Sequence, residues 1–422
     1  MSLGPMLIFD KSVLQALSPD ESVWLESLYL TNITPMFFIE TLADLEKEVR
    51  KGRTPEQIVG GIARKTPDMS SYPNVHHRRI LAAELAGIES VEMEGRPILG
   101  GGQAVEMAGK TGVMFKVAPE TEAFHRWQKG EFLDLERHAA REWRKALAEL
   151  DFQDIAQIVS RWFALKGRPR TLEEARALAT DVAGQPTRES VLLFGLGLLA
   201  IPQDLQDIAI RRWREAGQPA LETLFPYFMY TMQVDLVFYI GIAAGLISGE
   251  RKSNRIDLAY LYYLPFCLVF VSGDHLHGKL VPLFLRADQS FVELGEFKRD
   301  LAALDHHFDQ LPDDVKRRGT IHFASYPPTD TSFLVTRLWD KHLPRWRKHE
   351  SERGKEESVP EHVTEGIRKL VEEFKNEAKP TSRHVDSDQS QVMFERRASM
   401  YKGKWRRFPP EVEEAERTKR EG

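Results

Sequence analysis

An α/β fold is predicted, with strands and helices alternating towards both ends of the chain and a long, mainly helical stretch between. Three observations carry this reading. Met6-Leu7-Ile8-Phe9 is a short apolar run closed by Asp10. Phe266 to Ser272 is a second run, rich in apolar and β-branched residues and closed by Gly273-Asp274. Both have the length and composition of buried strands. From Glu120 to about Gly249 the pattern is almost wholly helical.

The opening reads strand, helix, strand, helix. After the Met6–Phe9 run, Ser18-Pro19-Asp20-Glu21 starts a helix, with Ser18 as N-cap, Pro19 in the first turn and Glu21 closing a capping box. Thr34-Pro35 repeats that signal before a helix over Met36 to Arg50, apolar in its first half and charged in its second. Thr54-Pro55-Glu56-Gln57 starts another. Between Ser70 and Lys116 the pattern is mixed, Gly100-Gly101-Gly102 marking a loop and Val113-Met114-Phe115 a strand. Within the helical stretch Thr171 and Glu174 form a capping box, and Pro186-Thr187 and Pro202 punctuate it. Asn254 to Leu264 reads as a helix stopped by Pro265, and a further helix is expected from His275 to Leu285. Beyond about Arg345 the chain turns charged and polar. A helix near Glu361 to Phe374 and then a loosely held tail are expected.

The 422 residues, 42% hydrophobic and 29% charged, suffice for a large core or for two or three packed units. The single cysteine, Cys267, excludes an internal disulfide and any multi-cysteine metal centre, and its apolar setting makes it a buried small hydrophobe. A net charge of −5 gives no global attraction to polyanions, so any nucleic-acid contact must use local basic patches. No secretory leader is expected, and a soluble, cytoplasmic protein is the reading. Tyr227 to Ile247 is long and apolar, but Asp235 lies near its middle and no Lys/Arg cluster flanks it. A buried helix is expected there rather than a membrane span.

Three apolar elements each deliver a carboxylate. Asp10 closes the first strand, Glu40 lies early in its helix among Met36, Phe37, Phe38, Ile39 and Leu42, and Asp274 closes the late strand. Asp257 stands in the first turn of the helix feeding that strand. In an open parallel sheet ligands collect at the carboxyl ends of strands, where Asp10 and Asp274 would sit. Such acids would raise one another's pKa values, and a hard divalent cation relieves that repulsion.

The residues Leu7-Ile8-Phe9-Asp10-Lys11-Ser12, Ile33-Thr34-Pro35 running into Glu40, and Ile256-Asp257 running to Ser272-Gly273-Asp274 together resemble the PIN-like nuclease domain. The resemblance implies a PIN-like parallel sheet flanked by helices, built from 4–50 and 250–345. It also implies a large mainly α-helical insertion over 51–249 and leaves a charged C-terminal tail over 346–422. It places the family's acidic residues at Asp10, Glu40, Asp257 and Asp274, as catalytic and metal-binding groups. The implied activity is a Mg²⁺- or Mn²⁺-dependent endonuclease, a hydrolase of phosphodiester bonds in RNA more than DNA, with one or two ions activating water. Ser12 and Ser272 are hydroxyl helpers at the edge of this site. The spacing from Glu40 to Asp257 is far longer than such domains usually have, so the intervening helices are an insertion, a lid or a substrate-binding module. They also offer a surface for a protein partner or self-association. The alternative is a non-catalytic scaffold that keeps the fold and holds a partner.

Each acid also has a plainer role. Asp10 and Asp274 suit N-caps of the helices that follow them, Asp257 belongs to a capping arrangement after Asn254, and Glu40 pairs with a core-facing Arg. Asp235 is a candidate for the second layer of the metal site or for a buried hydrogen bond to a Tyr hydroxyl or the backbone. Ala104 to Thr111 matches a relaxed phosphate-loop pattern, but its glycines precede a strand instead of opening a helix, so nucleotide binding is not expected. The pairs His76-His77 and His306-His307, with His275 and His277, read as surface or loop histidines. Arg396-Arg397, Lys402, Lys404 and Arg406-Arg407, interleaved with Tyr401 and Trp405, suit either a nucleic-acid backbone or docking on the protein's own domain.

Overall fold

The computed structural model describes residues 4–45, 49, 52–88, 90–107, 110–115, 119–149, 151–165, 169–181, 188–353, 379–380, 391–394 and 398–412. Its strands are β1 (Met6–Phe9), β2 (Leu30–Ile33), β3 (Ser71–Pro73), β4 (Gln103–Met107), β5 (Lys110–Phe115), β6 (Val269–Ser272) and β7 (Ser290–Glu293). Four short strands follow: β8 (Lys379–Pro380), β9 (Gln391–Phe394), β10 (Tyr401–Lys402) and β11 (Trp405–Arg406). The main sheet has the order β3-β2-β1-β6-β7, and every pair in it is parallel. β1 is central: Leu7 lies opposite Thr31 on one side and Val269 on the other.

All four β1 residues are buried because helices cover both faces, as a parallel sheet requires. Successive side chains point to opposite faces. Met6, Ile8 and Phe270 join a core with the helix Pro226–Ala243. Leu7, Phe9, Val269 and Val271 join another with Trp24, Trp127 and Trp339. The stretch from Tyr227 to Ile242 is therefore at the centre of a protein core, and no helix among the described residues is long and apolar enough to cross a membrane.

The amino end of that central helix is held by Glu84, a buried side chain whose two oxygens accept from Tyr227 N (2.8 Å) and Phe228 N (2.7 Å). Burial, opposed by these two bonds, pushes its carboxyl up to about 7. Glu84→Ala should cost about 2 kcal/mol by urea denaturation, because two helix-terminal N–H groups lose their acceptor inside the core. Glu84→Gln, which keeps one acceptor, should recover much of it.

Several expectations shift in detail. The expected boundary at residue 51 cuts the sheet, since β3 pairs with β2 from within 51–249. The helix expected over Met36 to Arg50 runs over Pro35–Ala43 and is interrupted by a turn at Asp44; Leu45 and Val49 are helical, and 46–48 and 50 lie outside the described residues. Asn254 to Leu264 resolves into a helix to Leu261 and a 3₁₀ turn, Leu264–Phe266, so the following strand starts only at Val269. The helix after Asp274 ends at Leu280. Of the Ala104 to Thr111 stretch, the described residues lie in β4 and β5, an antiparallel pair, and not at the start of a helix. Cys267 is buried and free. The helix expected near Glu361 to Phe374 lies outside the described residues.

The segment 398–412 is not loosely held. β10 and β11 form a hairpin that seats Trp405 against Trp24, ring centroids 4.8 Å apart, with its Nε1 donating to Asp305 (2.7 Å). Lys402 Nζ meets Glu26 Oε2 at 2.8 Å, and Arg407 Nη2 meets Glu26 Oε1 at 2.6 Å. Of the two readings of the basic, aromatic tail, Lys402 to Arg407 takes docking on its own domain.

Candidate active site at the carboxyl edge of the sheet

The strand order reverses direction between β1 and β6, and at such a switch point the loops leaving the two strands diverge and open a crevice. Asp10 leaves β1 there, and Ser272-Gly273-Asp274 leaves β6. The two exits nearly touch. A Cβ on Gly273 would lie 2.7 Å from Leu294 Cδ2 and 3.0 Å from Ser12 Oγ, so glycine is what lets them approach.

Asp10 is 3% exposed, and it does not cap the helix that follows with its side chain. Its carboxylate accepts instead from Ser12 Oγ on Oδ1 and from Ser272 Oγ on Oδ2, both at 2.5 Å. His277, wholly buried, lies beneath them: Nδ1 is 2.7 Å from Ser272 Oγ and 3.4 Å from Asp10 Oδ2, and Nε2 is 2.7 Å from the Asp257 carbonyl oxygen. Acceptors face both ring nitrogens, so a doubly protonated imidazolium satisfies the network. Burial disfavours that charge, but the hydrogen bond and charge of Asp10 outweigh it and raise His277 to about 9. Burial would likewise push Asp10 up, yet His277 and the two hydroxyls hold it below its ordinary value.

Glu40 reaches the site from the helix Pro35–Ala43. Its Oε2 accepts from Tyr260 Oη (2.7 Å) and Lys11 N (3.3 Å), and Lys11 Nζ lies 3.8 Å from Oε1. Lys11 also pairs with Asp44. Burial, with Lys11 opposing and Asp10 adding, raises Glu40 to about 7. The expected core-facing Arg partner is thus a lysine. Asp274 does serve as the cap of His275–Leu280, its Oδ1 accepting from Leu276 N (2.7 Å) and His277 N (3.3 Å), while Oδ2 pairs with Arg251 Nη2 (3.3 Å). Asp257 is 7% exposed, and its Oδ2 is buried with no hydrogen-bond partner. Burial first, then the charges of Asp274 and Glu40, push it up to about 8.

All four predicted acids therefore gather at one edge of the sheet, and Ser12 and Ser272 stand where hydroxyl helpers were expected. Asp235 does not join them. It pairs with Arg255 Nη1 (2.9 Å) and the Tyr262 hydroxyl on the helical side of the core. His277 is the residue the sequence reading missed, being the centre of the cluster and not a surface histidine. Its signal was position: three residues after the helix cap, a side chain leans back over the helix start, where the β6 exit lies. Lys11, Tyr260 and Arg251 were also missed.

An all-oxygen donor set suits Mg²⁺ or Mn²⁺, and Asp257 Oδ2 is buried with no hydrogen-bond partner. The other three acids are turned towards internal partners. Among the described residues no three His, Cys, Asp or Glu side chains stand close enough together to ligate one ion. Oxygen donors are the type a hard divalent ion takes, and in this arrangement Glu40 and Asp274 are held by Lys11 and Arg251. No protein-family model, curated protein or solved structure matches this chain.

Proposed function

We propose that this chain is a PIN-like, divalent-metal-dependent endonuclease acting on RNA. The observation that carries the reading is the assembly of Asp10, Glu40, Asp257 and Asp274 around the β1–β6 switch point, with one Asp257 oxygen buried and unpartnered. Asp257, Asp274, Glu40 and Asp10 would hold the ion, which supplies Lewis-acid stabilisation of the phosphodiester and a water of lowered pKa. Ser12 and Ser272 fix the Asp10 carboxylate by one hydrogen bond to each oxygen, leaving it little rotational freedom. His277 keeps Asp10 ionised without reaching solvent. Gly273 lets a substrate strand approach the edge closely, being exposed and without a side chain.

A non-catalytic scaffold with the same fold is favoured by one observation: Lys11, His277 and Arg251 already neutralise three of the four acids. Calorimetric titration of Mn²⁺ into wild type and Asp10→Asn/Asp274→Asn, paired with cleavage of a single-stranded RNA pool, separates the two. Wild type should bind and cleave, and the double variant should lose binding and at least about 10²-fold in cleavage. Wild type that binds no Mn²⁺ would sink the nuclease reading and leave the scaffold.

A further inference from the structure

We propose that Arg251 is the residue that receives the substrate phosphate, and that its transfer from Asp274 to a phosphodiester releases that carboxylate; this deepens the nuclease reading and rests on it. A phosphodiester carries a negative charge, so a substrate at this edge needs a cation it can reach. The other two cations seen paired with these acids cannot be reached: the Lys11 side chain is 4% exposed and His277 is wholly buried. The Arg251 side chain is 56% exposed and lies at the mouth, in the turn that leads into the helix carrying Asp257.

Its present hold is weak. A single Nη2 meets a single Asp274 oxygen at 3.3 Å, and Nε donates to Ser253 Oγ at 3.1 Å. A half-exposed, one-point ion pair is easily exchanged, whereas a phosphodiester offers two oxygens to the planar fork of a guanidinium.

The test is fluorescence anisotropy of a labelled single-stranded RNA 12-mer in EDTA, with the full chain as wild type, Arg251→Ala and Arg251→Lys. Cleavage by the wild type with Mn²⁺ is measured in parallel. Arg251→Ala should bind about tenfold more weakly, with a salt dependence shallower by about 0.7 in log–log slope. Arg251→Lys, which keeps the charge but not the fork, should fall between. Equal affinity and slope for Arg251→Ala would overturn the proposal, as would absence of RNA binding by the wild type. Binding that depends on Arg251 in a protein that cleaves nothing would support the phosphate site and remove the nuclease reading. Cleavage by a wild type whose RNA affinity ignores Arg251 would do the reverse. Equal melting temperatures for the three proteins establish that the fold is intact.

Discussion

Glu26→Ala should lower the unfolding free energy by about 3–5 kcal/mol, the cost of leaving buried charges without their partner. Glu26 is fully enclosed. Its oxygens serve Lys402 and Arg407 and also accept from Met69 N (2.5 Å) and Asp68 N (3.2 Å). Lys402 has a second acceptor in the Thr66 carbonyl (3.0 Å), and Arg407 a second carboxylate in Asp68. Neither replaces Glu26. Burial opposes its charge, but Lys402 and then Arg407 hold its carboxyl far below the ordinary value. A depressed carboxylate stabilises the fold above its unfolded pKa of about 4.3, and that contribution is lost as pH falls through the folded value. Wild type and Glu26→Ala should therefore differ most near neutral pH and converge in strong acid. Because the partners of Glu26 lie in the C-terminal hairpin, limited trypsin digestion should cut at Lys402 to Arg407 in the variant and spare the wild type. Equal protection would mean that Trp405 and the contacts to Thr66 and Asp68 seat the segment without Glu26.

Asp257→Asn should do the opposite to stability and remove metal binding at the same time. Asp257 is raised to about 8 by burial and by its acidic neighbours, whereas an unfolded Asp titrates near 3.9. Between those values the folded chain holds a proton that the unfolded chain has released. The stability present below about pH 3.9 is therefore lost as pH rises through about 8. Asparagine has no such loss. The variant should match wild type near pH 4 and exceed it by roughly 2 kcal/mol at pH 9, as only part of the burial penalty belongs to the charge. Urea denaturation across that range measures it. At pH 8 Mn²⁺ should raise the melting temperature of wild type, and leave Asp257→Asn unmoved. A variant no more stable than wild type at pH 9 would mean that the buried oxygen is charged and solvated by another route.

The sequence declared the parts of the fold that sit in the middle of the sheet. β1 and β6 are buried on both faces, so their residues are continuously apolar and their ends are marked by the acids that leave the core. The edge strands carry no such mark. β3 is Ser71-Tyr72-Pro73, where a proline is tolerated because no further strand needs its N–H, and β7 is four residues of mixed polarity. The four acids were legible because a charge at the end of an apolar run is unusual wherever it occurs. Their partners were not. Lys11 and Arg251 look like ordinary surface cations, and His277 looks like any loop histidine until the Asp257 carbonyl, twenty residues earlier, is brought beneath it. The C-terminal hairpin was hidden for the same reason. Lys402 and Arg407 are buried by Glu26, more than 370 residues away, and nothing local records that.

The central pair of the sheet also sets a clock. β1 meets β6 with Leu7 opposite Val269, so the middle strand of the molecule waits for more than 260 residues before one of its two neighbours exists. At the usual ~5–20 residues per second of synthesis, that delay lasts roughly 13 to 50 seconds. Asp10 and Glu40 emerge early, while Asp257 and Asp274 emerge last. A chain still growing, or cut short, before residue 257 holds half of the acids and none of the crevice. Closing so long a loop is slow, and the chemistry of this edge belongs only to the finished molecule.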